Sequence, residues 1–234
     1  MNKNLCIIPA RGGSKRIPRK NIKSFMGKPI IAYSIEAALK SGLFEEVMVS
    51  TDDAEIAEIA EKYGAKIPFL RSKKNADDFS TTVDVLLEVV EEYEALGKKY
   101  NNICCIYPTA PFVTDIKLSE AFEKLSREKL DAVFPIIPFG YPIQRSYKIE
   151  NNSLQFFFPE FEKSRSQDLE KAYHDAGQFY FANTAKLLVN KSIISNSTGG
   201  IIINEMEAQD IDTLEDWNLA EVKFKLMKKE IDQK

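Results

Sequence analysis

What most restricts the fold of this chain is an alternation of two hydrophobic periods. Residues 5–8, 46–51 and 66–70 are short apolar, β-branched runs, while 29–39 and 54–63 carry their apolar residues at helical spacing. Pro29 suits a first helical turn, and Gly42 and Gly64 suit the ends of the two helices. A β-α-β-α-β series requires a parallel sheet, because a strand returns in the same direction only through a crossover, and such crossovers are right-handed. The pattern continues with a helix over 83–96, a strand over 103–107, a helix over 115–129 capped by Thr114 and a strand over 131–138. A last strand over 199–204 and a closing helix from Thr213 to about residue 229 complete it. The chain therefore reads as α/β with a mostly parallel sheet, and 234 residues suit one core with a small excursion.

The first crossover opens with IIPARGGSKRIPRKNI, residues 7–22, a loop at the carboxyl end of a strand, where open α/β sheets bind ligands. It carries five cations, Arg11, Lys15, Arg16, Arg19 and Lys20, and the adjacent Gly12 and Gly13. Glycines let backbone N–H groups approach phosphate oxygens while the side chains neutralise their charge. The competing reading is a solvated basic surface. Charge asymmetry argues against it: residues 1–35 hold eight lysines and arginines and no acid, so the remainder sets 24 bases against all 35 acids. The loop has neither the GxGxxG of a dinucleotide site nor the GxxxxGKS of a P-loop.

The run IPARGGSKRIPRKNI resembles the signature of the sugar-acid cytidylyltransferases, which couple CTP to sialic acids and related nonulosonic acids. The resemblance extends over nearly the whole chain. It implies a three-layer nucleotidyltransferase-type fold and a loop that binds the triphosphate and cytidine of CTP. On that basis Arg11, Gly12, Ser14, Lys15, Lys20 and Asn21 are nucleotide-binding here, with Arg11 and Lys20 also catalytic. In the family an arginine, then a polar stretch ending in serine or threonine, lines the cytosine and ribose pocket; Arg71, Thr81 and Thr82 match it. A helix N-cap is the plainer reading of Ser80 and Thr81, and both roles are compatible, since helix N-termini also bind phosphate.

Two departures bear on the sugar. Tyr107 stands where the sialic acid enzymes have a substrate-contacting glutamine, and Ala176 stands where they have asparagine. Together with YPIQRSY and HDAGQFYF, these positions resemble the pseudaminic acid branch. The resemblance implies Tyr107, Arg165, His174, Gln178 and Tyr180 as sugar-binding residues; Arg165 suits bidentate pairing with a carboxylate. His174, the only histidine, is more readily a structural or sugar-contacting residue than a general base. From Phe139 to about Tyr173 the composition turns to aromatics, proline and short β-like pieces. The family's insertion at this point makes a homodimer, and an apolar stripe of that size favours an interface; the alternative is a hairpin closing over its own core.

Asp210 and Asp212 flank Ile211 just before the closing helix, at the place of the family's metal-binding acidic pair. In an extended segment alternate side chains share a side, so both carboxylates can face one Mg²⁺, a hard cation. Helix capping is the alternative. Asp52-Asp53 is read the other way, as caps of the helix over 54–63 before a metal pair. Cys6, Cys104 and Cys105 lie in apolar runs without CxxC spacing and read as buried thiols of a reducing compartment. No signal-peptide core or run of about 20 apolar residues is present, so a cytoplasmic protein without membrane association is expected. A net charge of −3 argues against general nucleic-acid binding. The expected activity is Mg²⁺-dependent transfer of CMP from CTP to pseudaminic acid with release of pyrophosphate. The alternatives are the same reaction on legionaminic or N-acetylneuraminic acid, and an inactive nucleotide-sugar-binding protein.

Overall fold

In the computed structural model, which describes residues 3–77 and 79–232, the first apolar run becomes the central strand. This is β1 (Asn4–Pro9), whose residues Leu5 to Ile8 are wholly buried because both its faces and both its edges are covered. It pairs in parallel with β4 (Glu46–Ser50) on one side and β5 (Asn102–Ile106) on the other. Between β1 and β4 come a short hairpin, β2 (Ser24–Phe25) and β3 (Lys28–Pro29), and helix α1 (Ile30–Ser41). Met26 and Gly27 both have positive φ, as a tight two-residue hairpin requires. α1 ends where Gly42 takes φ 64.

Helix α2 (Ala54–Lys62) follows β4, and α3 (Thr82–Ala95) leads into β5. The strand expected over 66–70 reduces to one parallel bridge, Met48 with Lys66. Pro68 has no N–H to give a ladder, and the run ends at the sheet's edge. After β5 come α4 (Asp115–Glu128), capped by Thr114 as expected, and β6 (Ala132–Pro138). The chain then leaves the sheet for the hairpin of β7 (Tyr147–Glu150) and β8 (Ser153–Phe156), a separate two-stranded sheet turning at Asn151 and Asn152. It returns through β9 (Tyr173–Asp175) and β10 (Phe179–Asn183), followed by α5 (Thr184–Asn190), β11 (Thr198–Ile202) and α6 (Leu214–Asp232).

The sheet order is β11-β6-β10-β5-β1-β4, with β9 paired to the end of β6. β10 runs antiparallel to both neighbours and the other main strands run parallel. Alternation along β1 builds the two inner layers: Cys6 and Ile8 pack with α1, α2 and α4, while Leu5 and Ile7 pack with α3 and α5. The architecture is the expected three-layer α/β one. A third cluster joins Ile17 of the basic loop, Phe25 of the hairpin, Ile211, and Trp217 and Ala220 of α6. It lies outside the layers and ties the first crossover to the end of the chain.

Candidate active site

The basic loop is shaped by contacts at its two ends. Gly12 donates its N–H to Asp52 Oδ1 at 3.0 Å, and a Cβ on Gly12 would lie 2.7 Å from Asp53 Oδ2, so a side chain there would displace the Asp53 carboxylate. Asn21 closes the loop by donating from Nδ2 to the Arg11 carbonyl at 2.9 Å. Asp53 is the N-cap of α2, accepting from the Ile56 N–H at 3.0 Å, so the capping reading of this aspartate holds. Arg19 pairs with Asp53 at 2.5 and 2.9 Å, and this partner holds the Asp53 carboxyl at about 2.

Above the carboxyl ends of β1 and β5 lies a cleft of about 510 Å³. One wall is the loop, through Arg11, Ser14, Lys15, Arg16, Lys20 and Asn21. Arg71, Thr81 and Thr82 form a second, Tyr107 and Thr109 stand at the end of β5, and Asp210 and Asp212 face the loop. Five cations thus meet two carboxylates, an electrostatic setting for a polyanion. Its position between strands whose connections leave in opposite directions is where open α/β sheets take ligands.

Arg71 is buried and oriented by Ser50, donating from Nε to Oγ at 3.1 Å and from Nη2 to the carbonyl at 2.6 Å. Burial pushes its pKa down, although a guanidinium keeps its charge. Thr81 makes a capping box with Asp84, accepting the Asp84 N–H at 3.2 Å, so its hydroxyl serves the helix end that faces the cleft. Thr82 Oγ1 lies 3.2 Å from the Tyr107 hydroxyl. Gln178 and Tyr180 stand behind Tyr107: its N–H donates to the Gln178 carbonyl at 2.9 Å, and the two tyrosine rings meet edge-on at 5.4 Å. Tyr180 donates its hydroxyl to Asp175 Oδ2 at 2.7 Å, and burial raises the pKa of both tyrosines.

Asp210 and Asp212 share the cleft while Ile211 between them is wholly buried, the alternation expected of an extended segment. Arg16 pairs with Asp212 at 3.0 Å, and Lys20 reaches across to the Ile211 carbonyl at 2.6 Å and to Asp212 at 3.4 Å. Burial and the neighbouring Asp212 charge raise the pKa of Asp210. Two hard oxygen donors crowded on one side fit a divalent cation that relieves their repulsion. Capping of α6 falls to Thr213, which accepts the Asp216 N–H at 3.2 Å.

Of the five expected sugar contacts only Tyr107 lines this cleft; Gln178 and Tyr180 are buried behind it, and two lie apart from it. Arg165, exposed in the excursion, pairs with Asp168 at 2.7 Å. His174 on β9 has Nδ1 2.9 Å from the Asp175 carbonyl and its ring against Phe139. Conversely, Arg16 and Thr109 line the cleft without having been singled out for it. Arg16 was visible as one of five loop cations, but nothing in the run told which of them face inward.

Residues 5–229 match the family model described as Cytidylyltransferase. The chain is 46% identical over 225 residues to a pseudaminic acid cytidylyltransferase of Campylobacter jejuni subsp. jejuni, covering 96% of this chain and 97% of that protein. It is 35% identical to a CMP-N,N'-diacetyllegionaminic acid synthase of Legionella pneumophila subsp. pneumophila, with 93% and 94% covered. Its fold is similar to that of CMP:2-keto-3-deoxy-manno-octonic acid synthetase complexed with CTP, with a TM-score of 0.70 at 16% identity, over 97% of this chain and 100% of that one.

Proposed function

The chain belongs to the cytidylyltransferase family, and from that premise we propose that it transfers CMP from CTP to pseudaminic acid, releasing pyrophosphate. The observation that carries this reading is the cleft in which Arg11, Lys15, Arg16, Lys20 and Arg71 face Asp210 and Asp212. Nearly full-length similarity to a pseudaminic acid cytidylyltransferase, at higher identity than to the legionaminic acid enzyme, favours pseudaminic acid as the acceptor. Tyr107 and the buried Ala176 support the same choice, since neither offers the amide that a glutamine or an asparagine would.

In this reaction the sugar's anomeric hydroxyl attacks the α-phosphorus in line, the bond to pyrophosphate breaks and the hydroxyl proton is lost. Such chemistry needs positioning and charge stabilisation rather than a protein nucleophile. Lys20 and Arg11 stabilise charge on the triphosphate, with Lys15 and the Ser14 side chain beside them, while Gly12 shapes the loop by giving its N–H to Asp52. Arg71, Thr81 and Thr82 bound the cytosine and ribose. Tyr107, backed by Gln178 and Tyr180, meets the sugar. Asp210 and Asp212 are the residues that would hold Mg²⁺, which when bound neutralises phosphate charge as a Lewis acid.

We place Arg165 and His174 with the excursion in a homodimer. Exposed Tyr141, Tyr147, Ile149, Leu154 and Phe157 make that excursion apolar enough for an interface. A cytoplasmic location accords with three buried free cysteines, and among the described residues no helix is long and apolar enough to cross a membrane. Pyrophosphate release from CTP, measured with the purified protein and a panel of nonulosonic acids, tests the reaction. Preferred turnover of pseudaminic acid is expected. CTP binding without release would indicate a nucleotide-binding protein, and equal turnover of N-acetylneuraminic acid would overturn the sugar assignment.

A further inference from the structure

Of the five cations in the basic loop, Arg11, Lys15, Arg16 and Lys20 line the cleft, while Arg19 turns toward the start of α2. Its guanidinium donates from Nη1 to Asp53 Oδ2 at 2.5 Å and from Nη2 to Asp53 Oδ1 at 2.9 Å and to Glu55 Oε2 at 2.5 Å. Two carboxylates therefore cancel its charge, and it adds little to the field that meets a polyanion. Its backbone is equally particular, at φ 55 and ψ 31, a left-handed conformation that favours glycine over an L side chain. An arginine held there indicates that the side-chain fork has work which glycine could not do.

That work is adjacent in the chain. The Arg19 carbonyl accepts from the Ile22 and Lys23 N–H groups, both at 3.0 Å, and so starts the short turn that carries Lys20 and Asn21 into the cleft. From this turn Lys20 spans to the opposite wall at Ile211 and Asn21 closes the loop on Arg11. The segment after β4 thus grips the loop twice, at Gly12 through Asp52 and at Arg19 through Asp53. We propose that Arg19 is a positioning residue whose fork on Asp53 and Glu55 sets the direction in which Lys20 enters the cleft. This rests on the assignment of Lys20 to the triphosphate.

The test is a mutant cycle read in CTP affinity by calorimetry and in pyrophosphate release. Arg19→Gly keeps the left-handed backbone and removes the fork; it should weaken CTP binding about tenfold, as loss of a bidentate pair that orients a charged donor would. Asp53→Asn removes the charge of the fork's main partner while keeping the N-cap and the Glu55 contact, and should weaken CTP binding severalfold but by no more than Arg19→Gly does. In a Lys20→Ala background Arg19→Gly should lose most of its effect, because Arg19 acts chiefly through Lys20, with a remainder of at most about twofold through Asn21 on the same turn. Arg19→Lys should not restore affinity, since an ammonium cannot form the planar fork. Multiplying losses in the Arg19→Gly/Lys20→Ala double variant, or wild-type affinity in a folded Asp53→Asn protein, would overturn the inference. Should the cycle hold in CTP binding while the wild type releases no pyrophosphate with any sugar, the proposed reaction is at fault and the role of Arg19 stands.

Discussion

Asp53→Asn allows the loop clamp to be weighed independently of any activity. The Asp53 carboxyl lies at about 2 instead of 3.8, chiefly through its hydrogen bonds from Arg19 and then the N–H of Ile56 against the opposing cost of burial. A displacement of that size corresponds to at most about 2.5 kcal/mol. The Asp53 side chain is 22% exposed and that of Arg19 38%, so solvent screening reduces the expected contribution to about 1 kcal/mol. Because the folded value is depressed, this stability is fully present above about pH 4, where the unfolded aspartate also ionises, and is lost as pH falls through about 2. Asparagine keeps the cap on Ile56 and lacks the charge, which confines the difference to the ion pair. Urea unfolding of both proteins should therefore show the variant about 1 kcal/mol less stable near neutrality, with the gap about halved near pH 3 and reduced by molar salt. A gap that stays constant down to pH 3, or no gap near pH 7, would refute the argument.

The remaining expectations concern the reaction and the assembly. Lys20→Ala or Arg11→Ala should cost about 2–4 kcal/mol of transition-state stabilisation, read as a fall in kcat/KM for CTP, and wild-type turnover in Lys20→Ala would remove that lysine from the mechanism. Asp210→Asn and Asp212→Asn should fold normally by circular dichroism yet need far more Mg²⁺ for turnover; an unchanged Mg²⁺ dependence in both would exclude them as ligands. Light scattering at micromolar concentration should give a dimeric mass, and replacing exposed Ile149 and Leu154 by aspartate should shift it to the monomer. A fully active wild-type monomer would contradict the assignment of the excursion.

The features legible in the chain were those decided by neighbours in sequence. Apolar β-branched residues 5–8 had to be covered, Asp53 and Thr114 capped the helices that follow them, and Gly42 ended α1 through a conformation other residues resist. The cationic loop and the spacing of Asp210 and Asp212 were visible for the same reason. Strand partnership was not legible, because it is settled by residues far apart: β10 entered antiparallel between β5 and β6, and the run at 66–70 found one bridge rather than a ladder. Nor could the run SKRIPRK reveal which cations face the cleft. That was decided when Ile17 and Ile211 were buried in one cluster, bringing Lys20 to a carbonyl 191 residues away, while Arg19 turned back to Asp53. Local conformational preference and charge are properties of the sequence by itself; the closure of loop, α2 and acidic pair around one cleft exists only once long-range burial has offset the entropy of bringing them together.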